Sequence, residues 1–367
     1  MELRRVLWLL AILCVAVRAS AESVMVISDT HMTADTAAYT ETMDAVRQAA
    51  SVCGTVLFLG DNTNNGRTEE HIAVTAFARS IAQAAGAEVL MIPGNHDYTS
   101  GFGRQEFARE YAAFGWERSF SRDGVTASCA VMSAGGTCFL LLDTNQLGPA
   151  SRVLPDGGIT QETLAWLDSV LSSLPEGTPA VACGHHPILP AERSRRTPGA
   201  DGLADTLRAH GVRLYLCGHD HGFATVEENG LRQITVGQPH AYPGWAGTLE
   251  ISPEGFRWQT EALYDTASAY FAGMERSARD LGVRMARGTL QGTSCEGDEA
   301  AVGWFASAFT RYVSGELTPD VCAGLLADES CAKWRGIETK TVVRDWIIGL
   351  LEHCPEDVRQ ISLMIAK

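Results

Sequence analysis

Five short apolar, β-rich stretches of this 367-residue chain each run straight into a cluster of histidine, aspartate or asparagine, and that repeated coupling constrains the fold more than any other feature. The clusters are Asp29-Thr30-His31, Gly60-Asp61-Asn62, Gly94-Asn95-His96-Asp97, Gly184-His185-His186-Pro187 and Gly218-His219-Asp220-His221. The stretches before them, 23–28, 55–59, 88–92, 180–183 and 212–217, have the length and the Val, Leu and Ile content of strands, as does 137–142. Helical periodicity fills the gaps at 40–51, 69–84, 104–114 and 161–171, with Thr160 placed to cap the last. Alternating strands and helices predict parallel or mixed sheets covered by helices. In such sheets the loops at the carboxyl ends of the strands converge on one crevice, so the five clusters should meet in space.

Imidazole nitrogen and carboxylate oxygen together form the ligand set of zinc, manganese or iron, and the lack of cysteine among them points to an open catalytic site rather than a structural zinc knot. In the Asp-x-His and His-x-His steps, alternate residues project to the same side if the segment is extended, so each step can deliver two ligands.

Beyond Gly222 the pattern changes to short strands at 224–227, 231–236, 247–251 and 255–259, the first two joined by a Glu228-Asn229-Gly230 turn; a second, antiparallel-leaning sheet is expected. From about 262 the strands are expected to stop. Helical stretches at 263–287, 299–313, 318–327 and 339–352 predict a small helical appendage with Trp304, Phe305, Phe309, Trp346, Ile347 and Leu350 as its core. The expected division is a leader over 1–21, a main domain over 22–261 and a helical unit over 262–367.

The leader rests on Arg4 and Arg5, an apolar run over 6–17 and the small-residue site Ala19-Ser20-Ala21, which together read as a secretory signal and predict a secreted or extracytoplasmic protein. Leu13 before Cys14 does not fit a lipoprotein signal. The apolar run is short for a stable span, so membrane association is expected only if the leader is retained. Net charge is −15, and removing the leader takes away Arg4, Arg5 and Arg18 against Glu2 alone, making the chain more acidic. Tight nonspecific nucleic-acid binding is therefore not expected. Small phosphate esters stay compatible, because bound cations supply local positive charge. Among the ten cysteines, Cys322 with Cys331 and Cys295 with Cys354 are candidate pairs, and Cys129 and Cys138 flank the Gly135-Gly136 turn as if to face across a hairpin. Buried free thiols, such as Cys53, Cys183 and Cys217 beside apolar runs, are the equal alternative.

In this order the five blocks resemble the calcineurin-like metallophosphoesterase family, with its pattern D-x-H, G-D, G-N-H-[DE], G-H-x-P and G-H-x-H, over roughly 24–259. The resemblance implies a four-layer α/β/β/α sandwich of two mixed sheets and a pair of divalent or transition-metal ions, Mn, Fe or Zn. It implies that Asp29, His31 and His221 hold one ion, that Asn95, His185 and His219 hold the other, and that Asp61 bridges them. A water between the ions would be acidified and attack phosphorus in line with the departing oxygen. His96 would stabilise the phosphoryl oxygens or protonate the leaving alcohol, with Asp97 orienting its imidazole. Purple acid phosphatases carry a tyrosine three residues after the bridging aspartate, where Asn64 stands here. His31, the stretch from Gly60 to Gly66 and Tyr242-Pro243 are instead similar to bacterial phosphodiesterases of the class III cyclic-nucleotide type.

The expected function is therefore hydrolysis of small or nucleotide-like phosphodiesters, with the helical appendage shaping the entrance or mediating self-association. A phosphomonoesterase fits the same ligand motifs. A non-catalytic, metal-stabilised surface-binding protein is a third reading, against which intact His96 and Asp97 count. Arg193, Arg195, Arg196 and His240 are either substrate contacts or solvated loop positions, and His186 either faces substrate or packs behind the ligands, whereas His71, His210 and His353 lie on helical patterns as expected surface residues.

Overall fold

The computed structural model describes residues 21–148, 153–189, 197–252, 254–338, 341–354 and 356–364. The leader up to residue 20, and Arg193, Arg195 and Arg196, lie outside the described residues.

Strand β1 (Glu22–Ile27) shows why the first apolar run is continuous rather than alternating. Val24 and Val26 enter one core and Met25 and Ile27 another, so both faces of the strand are buried. Strands β2 (Thr55–Phe58) and β3 (Glu88–Met91) add to β1 in parallel. Helices α1 (Thr40–Ala50) and α2 (Thr68–Ala85) cover the outer face, where Val46, Val74, Phe77 and Ile81 share a core with Met25 and Phe58. Helix α3 (Arg104–Glu110) stops short of the periodicity that predicts it, because the chain turns at 112–116, where Gly115 takes a φ of 120°.

The second half of the sandwich holds β4 (Ser121–Arg122), β5 (Cys129–Met132) and β6 (Cys138–Leu142), then the small ribbon of β7 (Gln146–Leu147) and β8 (Val153–Leu154). Helix α4 (Gln161–Ser173) follows, capped by the Thr160 hydroxyl, which accepts from the Thr163 amide at 3.1 Å. Next come β9 (Ala180–Gly184), α5 (Ala200–Ala209), β10 (Leu214–Cys217) and the hairpin of β11 (Ala224–Glu228) and β12 (Leu231–Thr235). The chain then crosses back as β13 (Trp245–Ser252) and β14 (Gly255–Ala262).

Strands β11 to β14 do not form a sheet of their own. β11 and β12 extend a sheet of order β11-β12-β10-β9-β6-β5-β4, while β13 and β14 join β1 in the other. Hairpin patterning reveals pairing partners but not which existing sheet edge a hairpin extends. Facing residues such as Leu57, Leu90, Phe139, Val181 and Leu216 fill the space between the sheets, and α4 and α5 cover the outer face of the second sheet through Leu167, Leu171, Leu203 and Leu207. The result is a four-layer α/β/β/α sandwich of two mixed sheets.

The helical segment comprises α6 (Ala269–Leu290), α7 (Glu299–Val313), α8 (Pro319–Ala327), α9 (Glu329–Gly336) and α10 (Val342–Glu352). Its core contains Trp304, Phe305, Phe309, Ile347 and Leu350, with Trp346 packed against them and Trp334 added at the centre. Helices α6 and α7 pack closely at Gly282, where a Cβ would lie 2.9 Å from the Ala306 Cα. Contrary to expectation, strands do not stop at 262. Residues Gln360–Met364 form β15, which pairs antiparallel with β14 and completes the first sheet in the order β15-β14-β13-β1-β2-β3.

The cysteine pairings are not formed. Cys53, Cys129, Cys138, Cys183, Cys217, Cys295, Cys322, Cys331 and Cys354 are free thiols, and the neighbour of Cys322 is Cys354 rather than Cys331. Cys129 and Cys138 sit on adjacent strands, but Cys129 pairs with Leu141 and Cys138 with Met132, and the two side chains enter different cores. Their three-residue stagger puts them on opposite faces of the sheet, beyond the reach of a disulfide.

Candidate active site

All five clusters lie just past the carboxyl ends of strands: Asp29 and His31 after β1, Asp61 after β2, Asn95 to Asp97 after β3, His185 and His186 at the end of β9, and His219 and His221 after β10. The backbone stitches these loops together. The Asp29 amide donates to the Gly60 carbonyl at 3.0 Å, the His31 amide to the Asp61 carbonyl at 2.9 Å, and the Gly218 amide to the His185 carbonyl at 3.0 Å. The Asp-x-His and His-x-His steps are not extended, as their same-side projection had suggested. Asp29, His31, Asp61, His219 and His221 all have positive φ, between 42° and 73°, a conformation disfavoured for residues with a Cβ and typical of strain held at functional sites.

Two glycines explain how Asp61 can be so enclosed. Gly60 takes a φ of 90°, and a Cβ there would lie 2.7 Å from the Gly94 amide and 2.8 Å from His185 Nδ1; a Cβ on Gly94 would collide with the Asp61 amide and Oδ1. The two turns pack backbone to backbone, which only glycine permits.

The donor atoms fall into two groups. Asp29, His31, Asp61 and His221 form one, and His185, His186 and His219 the other, with the ligand atoms of each within 4.8 Å of one another. Asp61 Oδ2 stands between them, 3.6 Å from His31 Nε2 and 3.3 Å from His185 Nε2. His31 Nε2 and His221 Nε2 are 3.1 Å apart, with Asp29 Oδ1 3.4 Å from His221 Nε2. The Asn95 carboxamide oxygen lies 3.1 Å from His219 Nδ1, so it joins the second group. His185 Nδ1 donates to the Leu59 carbonyl at 2.9 Å, which aims its Nε2 at Asp61; that Nε2 is buried and has no hydrogen-bond partner among the described residues. A buried orphan nitrogen amid carboxylates and imidazoles fits a cation.

Electrostatics agree with that fit. Burial pushes His31 down to about 4 and, with help from His185, His219 down to about 3, so both are neutral near pH 7, the form that binds metal. Burial opposes ionisation of Asp61, but the imidazoles of His185 and His31 win and hold its carboxyl well below the usual range. Burial also opposes protonation of His185, yet the Asp61 carboxylate overrides it and pushes the imidazole up to about 10. A cation must therefore compete with a proton at His185.

His96 is exposed above this cluster, its ring 4.7 Å from that of His31. Its Nδ1 donates to the Asn64 carbonyl at 2.8 Å, leaving Nε2 for an incoming group. The expected partnership with Asp97 is absent from the hydrogen bonds. Asp97 is fully buried and accepts from the amides of Asn62, Thr63 and Gly94, from Asn62 Nδ2 and from Thr63 Oγ1, at 2.8–3.2 Å. It ties the Asp61 turn to the Asn95 turn, and the Asn64 carbonyl orients His96 instead. Burial, then the charge of Asp61, push its carboxyl up to about 6.

His186 is fully buried beside His185 and His219, with Nδ1 2.8 Å from the Thr144 hydroxyl and its Nε2 within the second donor group. His240 lines the adjoining cleft, edge-on to Tyr39 at 5.6 Å, and Tyr242 packs against Phe271 at 5.4 Å. His210 is half-buried and bonds Asp168, and His353 is exposed. His71 departs from its expected surface position: it is buried, stacked on Phe102 at 3.6 Å, with Nδ1 2.8 Å from the Tyr111 hydroxyl. Asp143-Thr144-Asn145, unrecognised in the sequence, supports the site from the end of β6. Asp143 accepts from Tyr98, Arg104 and the Ala127 amide, and Asn145 Nδ2 reaches the Pro93 carbonyl at 3.3 Å. The signal was a polar triplet at a carboxyl strand end, the same one that marked the other five.

Two sheets that gather carboxylate, imidazole and carboxamide donors about one central aspartate define a candidate dinuclear metal centre. The chain belongs to the calcineurin-like phosphoesterases, whose family profile matches residues 23–223. It is 30% identical over 186 residues to the glycerophosphodiester phosphodiesterase GpdQ of Enterobacter lignolyticus (49% of this chain, 59% of that protein). It is 26% identical over 239 residues to the 3',5'-cyclic adenosine monophosphate phosphodiesterase CpdA of Escherichia coli K12 (59% of this chain, 77% of that protein). A dimetal phosphatase from Danio rerio shares the fold, with a TM-score of 0.51 at 14% identity over 67% of this chain and 98% of that one.

Proposed function

We propose that this protein is an exported phosphodiesterase acting on small or nucleotide-like diesters. The observation that carries the reading is the position of Asp61 Oδ2 between two groups of donors, beneath an exposed His96. Asp29, His31 and His221 would hold one cation, Asn95, His185 and His219 a second, and Asp61 both. When bound, such a pair supplies Lewis acidity for phosphoryl oxygens and lowers the pKa of water. The protein's own part is to hold these donors in strained but fixed conformations and to present His96 Nε2 towards the phosphoryl group or the departing oxygen, with Nδ1 tied to Asn64. Likeness to two phosphodiesterases supports the diester preference, as does a cleft of about 1030 Å³ that begins at His219 and His221 and leaves room for a second ester substituent. The Arg4-Arg5 segment, the apolar run and Ala19-Ser20-Ala21 support export.

The test compares bis-p-nitrophenyl phosphate with p-nitrophenyl phosphate after loading with manganese, iron or zinc. Faster diester turnover is expected; much faster monoester turnover would make the protein a phosphomonoesterase. Asp61→Ala should lose metal and activity together, whereas His96→Ala should retain metal and slow by roughly a hundredfold, the scale of general-acid effects.

A further inference from the structure

The cleft beyond the metal-facing histidines is not built for a small polar group. Its near end is polar, with His221, Gln238 and His240. From there it follows α6, whose Ala269, Gly273, Ser277, Leu281 and Met285 form a row at four-residue spacing that winds obliquely round the helix. Those sixteen residues span about 24 Å along the helix axis at 1.5 Å per residue. Phe309 of α7 and Val343 and Trp346 of α10 also line the cleft. Apart from histidine, Asp220 and Arg284 are the charged side chains among the described lining residues, so the long wall is largely uncharged. At the outer end the large apolar side chains of Leu281 and Val342 are 42% and 64% exposed, an arrangement that costs free energy in a cleft filled only with water.

Gly273 is the second, independent indication. Glycine inside a helix is less favourable than alanine, because it loses more backbone freedom on folding. Here, outside the helix's own backbone and among the described residues, an added Cβ would meet only Arg276 Nη2, at 3.8 Å, the tip of a flexible side chain, so packing does not demand glycine. What glycine provides is open space midway along the groove.

We propose that the second substituent of the phosphodiester is an extended apolar chain that lies along α6, making the natural substrate a lipid-like phosphodiester. This rests on the diesterase reading above. The phosphoryl group sits at the donor cluster, and the chain follows the stripe from Ala269 to Met285. Each methylene buried against this wall leaves water for an apolar surface, so affinity should climb steeply with chain length.

The experiment uses methyl, butyl and octyl 4-nitrophenyl phosphates below their micellar concentrations with the metal-loaded full chain. The leaving group is constant, so only the groove is probed. kcat/KM should rise at least tenfold from methyl to octyl, mainly through KM; any smaller rise overturns the proposal. In Gly273→Phe, which fills the groove, and in Leu281→Asn, at its exposed mouth, the octyl-to-methyl ratio should fall at least threefold. A ratio unchanged in both overturns it. Calorimetric titration with butylphosphonate and octylphosphonate gives a readout without turnover: octylphosphonate should bind at least tenfold more tightly, and weaker discrimination overturns the proposal. If none of the three esters is hydrolysed but octylphosphonate shows that preference, the diesterase reading fails while the apolar groove stands. If cyclic AMP binds more tightly than octylphosphonate, the groove is a nucleotide site and the lipid-like assignment falls.

Discussion

The Tyr312 hydroxyl donates to the Asp220 carbonyl across 3.3 Å, and its ring lies against Gly222, where a Cβ would come within 2.8 Å of it. Helix α7 thus presses directly on the loop that carries His219 and His221. Substituting Gly222→Val should push the ring and the loop apart, lowering bound metal and cutting kcat/KM by tenfold or more. Tyr312→Phe keeps the ring and loses one hydrogen bond, worth about 1 kcal/mol at most sites, so its activity should stay within severalfold of the parent. Elemental analysis with steady-state kinetics checks both.

Gly94→Ala is expected to be more damaging than its size suggests. The added methyl must enter the space of the Asp61 amide and Oδ1, and the His96 amide bonds that same Oδ1 at 2.7 Å. Metal content and turnover should fall together, the latter by a hundredfold or more, with little change in far-ultraviolet circular dichroism.

Asp97→Asn tests whether this carboxylate is a structural tie. Oδ2 accepts from three N–H groups and Oδ1 from the Thr63 amide, so a carboxamide nitrogen placed at either position faces at least one N–H donor. The expected cost is about 2–3 kcal/mol of stability, read as a lower urea midpoint. His96→Ala should leave that midpoint almost unchanged.

Burial holds His71 down to about 4, against an ordinary value of 6.5. Between those values the unfolded chain takes up a proton that the folded chain refuses, so this group's contribution to stability is present above pH 6.5 and is lost as pH falls towards 4. The urea midpoint of the parent should therefore drop more between pH 7 and pH 5 than that of His71→Phe. Equal drops would mean that His71 gains its proton without opening the structure.

Much of this was legible because the chemistry sits where strand ends must converge. The apolar runs leading to Asp29, Asp61, Asn95, His185 and His219 are buried on both faces, so their patterning was unambiguous, and the helix over 299–313 has the predicted bounds. What escaped were contacts set by tertiary packing. His71 faces inward because Phe102 and Tyr111 arrive from another segment, and Asp97 turns away from His96 because five donors of neighbouring loops surround it. Strand β15 is a five-residue stretch, Gln-Ile-Ser-Leu-Met, whose alternation is too short to stand out after a long helical tract. Helix α5 was hidden by Pro198, Gly199 and Gly202, which read as loop residues.

Strand β15 changes the mechanical standing of the helices between 269 and 352. They leave the first sheet at the end of β14 and return to it beside the same strand, where the Trp258 indole also donates to the Val358 carbonyl at 3.0 Å. Such a segment is a bracket bolted at both feet, not an arm swinging from a single linker. Cutting the chain after residue 354 would free one foot and strip β14 of its outer neighbour, leaving a raw sheet edge open to pairing with other molecules.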